Sequence, residues 1–173
     1  MTINEERQLG RAKNAALSFL EQRLSVPKIY IDADWGGHPV DVLAINRDGV
    51  GDVHAILLFT REYFSDGGLN MLGQAESVVT LIDRFASIPA QYKYIAAVDL
   101  DQQNAPFRLS DAVSEKTFAQ DGIGRIGFLT IEVPIDGDPQ TKVEIKPERF
   151  RAAIAKLADE YIHQHEADWE IRA

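Results

Sequence analysis

Leu9, Ala12, Ala16, Phe19, Leu20 and Leu24 recur mostly at spacings of three and four, the stripe of a half-buried helix. The pattern predicts a helix over Asn4–Leu24. Asn4 can cap it, Glu5 and Glu6 favour its first turn, and Pro27 closes it. Beyond Pro27 the period drops to two. Ile29, Ile31, Ala33 and Trp35 alternate with Tyr30, Asp32 and Asp34, which predicts a strand over Lys28–Trp35. Gly36-Gly37 marks a turn, and a second strand follows over Val40–Asn46. Arg47-Asp48-Gly49-Val50-Gly51 is a hairpin-like connection to a third strand, Val53–Thr60. Its run Ala55-Ile56-Leu57-Leu58-Phe59 is wholly apolar, as in strands covered on both faces.

After Ser65-Asp66-Gly67-Gly68, the stripe Leu72, Ala75, Val79, Ile82, Phe85/Ala86 predicts a helix over Leu69–Ser87, ended by Pro89. A fourth strand spans Tyr92–Asp99. The less regular stretch Leu100–Gly124 holds a short helix over Ser110–Ala119, and a fifth strand spans Arg125–Val133. Asp136-Gly137-Asp138-Pro139 is turn chemistry, with a return strand over Lys142–Ile145. A last helix starts at Pro147 with the stripe Phe150, Ile154, Leu157 and Tyr161. No repeat, low-complexity tract or linker interrupts this order, so one domain over residues 1–173 is the simplest organisation.

Composition narrows the class. A hydrophobic fraction of 45% over 173 residues supplies a core without staples. The absence of cysteine excludes disulfides, thiolate metal sites and thiol catalysis, and it fits a cytoplasmic address. No run approaches the ~18 apolar residues of a spanning helix, and Met1–Arg11 lacks the apolar core of a signal peptide. The net charge of −9 opposes phosphate backbones, so a protein partner is expected before a nucleic acid, and no membrane.

The order from Asn4 to Asp99 resembles the core of the restriction-endonuclease-like fold, the PD-(D/E)XK nuclease superfamily. The resemblance implies an α/β fold with an αβββαβ core, here extended by a C-terminal β-hairpin and helix. In that family a carboxylate near the start of the second core strand holds a divalent metal. An acid and a lysine, one residue apart, stand on the third strand. The implied chemistry is phosphodiester hydrolysis assisted by Mg²⁺ or Mn²⁺. His38-Pro39-Val40-Asp41 matches the first element, with Asp41 as the metal carboxylate. On the third strand Leu57 and Phe59 occupy the positions of the acid and the lysine. The acidic-x-basic triplet is Asp52-Val53-His54, at the start of that strand. An active version would therefore use Asp41, Asp52 and His54, with Asp41 and Asp52 on the metal. Lys28 and Lys93 are the nearest lysines for the missing one. The family's optional glutamate on the first helix has no counterpart. Asn14 lies near that place, and Glu21 two turns further on.

Other constellations have competing readings. Asp32 and Asp34, with Asp41 and Asp52, form either an acidic cluster for Mg²⁺ or a solvated sheet edge that resists pairing. Asp41 reads equally as a strand-start aspartate facing solvent or capping the Gly36-Gly37 turn. Asp99-Leu100-Asp101 is a strand-end site or a plain turn entry. Gly122-Ile123-Gly124-Arg125-Ile126-Gly127 leads into a strand rather than a helix, which argues against dinucleotide binding. His163 and His165 are two apart and face different directions on a helix. With Glu166 and Asp168 they read as a polar helix end. No G-x-S-x-G elbow is present.

Three functions remain. The first is a non-catalytic binding or adaptor domain with no cofactor, favoured by the apolar third strand and the acidic balance. The second is a divergent nuclease using Mg²⁺ or Mn²⁺. The third is a small acidic inhibitor or immunity-type protein that mimics phosphate charge.

Overall fold

The apolar stripe at the start of the chain folds as α1 (Ile3–Arg23), beginning one residue ahead of the expected cap. The computed structural model describes residues 3–25, 27–46, 52–60, 85–99, 119–120, 124–152 and 154–165. Ala12, Ala16, Phe19 and Leu20 are buried, the three-and-four spacing that the sequence displays. The Arg23 guanidinium lies 3.9 Å over the Phe19 ring, which places a cation at the helix's carboxyl end.

β1 (Pro27–Trp35) and β2 (His38–Asn46) form an antiparallel pair in which Trp35 faces His38. The two residues between them, Gly36 and Gly37, have φ of 59° and 86°. A two-residue hairpin turn of this hand needs positive φ at both positions, which glycine accepts without a Cβ clash. β3 (Val53–Thr60) pairs antiparallel with β2. β4 (Tyr92–Asp99) then lies parallel to β3. β5 (Ala119–Gln120) and β6 (Gly124–Arg125) make a separate two-stranded ladder. β7 (Gly127–Glu132) is parallel to β4, and β8 (Gln140–Ile145) is antiparallel to β7. The result is one mixed six-stranded sheet in the order β1-β2-β3-β4-β7-β8. The final helix is α2 (Ala155–Gln164).

The sheet is buried on both faces, as the apolar runs of β3 and β4 require. On one face α1 packs Ala16, Phe19 and Leu20 against Val42, Ile56, Ala96 and Leu129. On the other, Phe85, Ile88, Phe150 and α2 cover Leu43, Ala55, Ile95 and Phe128. Tyr161 of α2 sits edge-on to Tyr30 and Trp35 at 5.0 Å and 5.4 Å, fastening the helix to β1.

Several boundaries differ from expectation. The last helix does not start at Pro147. Glu148 exchanges backbone hydrogen bonds with Arg125, and the Phe150 N–H donates to the Gln91 carbonyl at 2.7 Å. Those bonds hold residues 147–150 against the sheet, so only Ile154 and its successors are free to wind into α2. Phe150 is buried, but ahead of the helix whose stripe it was expected to lead. The strand expected over Arg125–Val133 breaks at Ile126 into β6 and β7. At Gly127 a Cβ would lie 2.9 Å from Pro147 Cδ and 3.0 Å from a Tyr94 ring carbon, so the backbones meet there only through glycine. The helix expected over Leu69–Ser87 lies outside the described residues except at its end, where Phe85 and Ala86 are helical. That expected over Ser110–Ala119 also lies outside them, apart from Ala119 in β5.

Candidate functional site

Strict alternation would place Tyr30 and Ala33 on opposite faces of the sheet, and likewise Val40 and Leu43. All four belong to the core on the α2 side, so both strands turn over between them. The turnover in β1 falls at Asp32, whose φ is 54°. Aspartate tolerates this left-handed conformation better than bulkier residues. In the register, Ile31 pairs with Val42 and Ala33 with Val40, which sets Asp32 directly across from Asp41.

The distortion also ends the β2–β3 ladder. Its last pair toward this end is Val42 with Ile56, while β3 continues beside β4 to Thr60. The Leu58 N–H, on the flank facing β2, donates instead to Asp41 Oδ2 at 2.7 Å. A carboxylate side chain thus takes the place of a backbone acceptor where the strands part. Burial pushes the Asp41 carboxyl above its ordinary pKa and the Asp32 charge adds to the rise, against the opposing pull of the Leu58 amide and Lys13.

Where the strands part, an open cleft of about 520 Å³ forms, lined by Asp32, Asp34, Asp41, Leu57 and Phe59 among others. Leu57 is buried and Phe59 packs partly against the α2-side core. Like Asp41, the other two carboxylates have partners of their own. Lys13 Nζ of α1 lies 2.7 Å from Asp32 Oδ1, and Asp34 Oδ1 accepts the Gly37 N–H at 3.0 Å. Asp34 rather than Asp41 therefore caps the Gly36-Gly37 turn. Lys13 was not singled out by the sequence. Its only signal is that helical spacing puts Lys13 beside the buried stripe of α1, on the side turned to the sheet.

The other expected residues are elsewhere. Asp52 stands five residues before Leu57, roughly 16 Å along an extended strand. Its carboxylate pairs with Arg149, Oδ1 to Nη2 at 2.9 Å. His54 is buried on the α1 side at that same end, stacked on Tyr92 at 4.6 Å, and its Nδ1 has no hydrogen-bond partner among the described residues. Burial lowers its pKa to about 4, with the Asp52 charge pulling the other way. The structure brings Asp52 close to His54 but neither close to Asp41.

Lys28 and Lys93 also belong to the amino end of β3: Lys28 pairs with Ile45, which pairs with Val53, and Lys93 pairs with Ala55. Lys93 is buried, donates to the Ala86 carbonyl and lies 4.1 Å over the Phe150 ring. Burial lowers its pKa to about 8. Asp99 is buried at the end of β4, opposite Glu132, and Leu100 and Asp101 lie outside the described residues. His163 is exposed on α2, and the His165 ring stacks on Tyr161 at 4.0 Å. Glu166 and Asp168 lie outside the described residues. Among the described residues no three histidine or acidic side chains converge as a metal site, and no helix is long and apolar enough to cross a membrane.

The geometry defines a layered α/β domain, a mixed sheet between helices, with a cleft where its first two strands change face. No family model matches the chain, and no match is found among curated proteins or solved structures.

Proposed function

We propose that this chain is a non-catalytic binding domain for a protein partner, on a scaffold of the restriction-endonuclease type. The scaffold reading is supported by the element order: a helix, three antiparallel strands, then a strand parallel to the third. The observation that carries the functional reading is the wall of the cleft beside Asp41, which is Leu57 and Phe59. Metal-assisted hydrolysis asks for further ligands and a group that orients water, and hydrocarbon side chains supply neither. One Asp41 oxygen is already committed to the Leu58 amide. Asp32 and Asp34 are held by Lys13 and by the Gly37 amide, and an ion that dehydrates as reluctantly as Mg²⁺ gains little from carboxylates already engaged. Apolar walls rimmed by carboxylates suit a protein surface, and the net charge of −9 disfavours a nucleic acid. The test is incubation with single- and double-stranded DNA and RNA in Mg²⁺ and in Mn²⁺, beside an Asp41→Ala control. No cleavage is expected. Cleavage that disappears in the control would overturn the reading.

A second reading, the divergent nuclease, is favoured by one observation. Lys13 and Asp32 are joined at 2.7 Å, Asp32 lines the cleft, and the Lys13 charge acts on Asp41, so an acid from β1 and a lysine from α1 stand near Asp41 where none comes from β3. Under it Asp41 and Asp32 would hold Mg²⁺ or Mn²⁺, and Lys13→Ala would abolish cleavage as Asp41→Ala does.

A further inference from the structure

We draw no further inference here: the strongest candidate, the cleft at the carboxyl end of β3 where Asp32, Asp34 and Asp41 stand beside Leu57 and Phe59, belongs to the site already described, and its acidic cluster has no second, independent observation that points to a ligand.

Discussion

The two ends of β3 use polar residues in opposite ways. At the amino end they stitch the fold together. Gln91 Oε1 accepts the Val53 N–H at 2.8 Å while its Nε2 donates to the Ala152 carbonyl at 3.2 Å. Its backbone bonds both Val53 and Phe150. Arg149 holds Asp52, and Lys93 reaches Ala86 and Phe150. Together they join β4 to β3 and tie the segment before α2 and the helical residue Ala86 to those strands. At the carboxyl end the first two strands change face, the ladder stops, and carboxylates border an open cleft. The difference separates two reasons for a polar group to sit in a core: groups buried and satisfied like Gln91 specify the fold, with His54 the exception at that end, whereas groups at an opening can meet another molecule.

Substitutions at the amino end therefore carry the largest stability costs. Gln91→Ala leaves the Val53 amide and the Ala152 carbonyl without their side-chain partners, and should cost about 2–4 kcal/mol in urea denaturation. A loss below about 1 kcal/mol would break the contrast.

His54 gives the next effect, as a pH dependence. Its folded pKa of about 4 lies below the ordinary 6.5, so between those values the unfolded chain binds more protons. The stability tied to the neutral ring is complete above pH 6.5 and is lost as pH falls toward 4. Its full size is about 3 kcal/mol, from 1.36 kcal/mol per unit. His54→Phe keeps an aromatic ring against Tyr92 and should flatten this part of the stability profile. An unchanged slope in that variant would assign the acid sensitivity to other groups.

At the carboxyl end the effects shrink. Asp41→Ala removes the acceptor for the Leu58 amide at a part-buried position beside an open cleft, and about 1 kcal/mol is expected. Asp41→Asn keeps an oxygen acceptor and should stay within about 0.5 kcal/mol of the parent by thermal or urea unfolding. If Asp41→Asn cost as much as Gln91→Ala, the cleft end would be as structural as the other.

Much of this scaffold was readable from periodicity. The apolar run of β3, the Gly36-Gly37 turn and the α1 stripe all express local rules that tertiary packing did not override. Pro147 misled because its preference for a first helical turn is weaker than the backbone bonds that Glu148 and Phe150 make to distant residues. The site was harder to read. Asp41 is where the order of elements put it, but the proximity of Asp32 depends on its positive φ, and period-two alternation carries no sign of that. Strand alternation also placed Asp32 and Asp34 on one face, which the turnover at Asp32 complicates. Asp52-Val53-His54 looked like a motif because the letters are adjacent. Its roles are set by Arg149 and Tyr92, which are far away in sequence.

The claim that the cleft lacks a working metal centre is tested most directly by calorimetric titration of Mg²⁺ and Mn²⁺ into the wild-type protein and into Asp41→Asn. All three carboxylates at the cleft are engaged, Asp32 by Lys13, Asp34 by the Gly37 amide and Asp41 by the Leu58 amide, and Leu57 and Phe59 offer no ligand. The account predicts no saturable heat from either protein. A one-site isotherm in the wild type that vanishes in Asp41→Asn would contradict it, and would put the metal on Asp41 and Asp32.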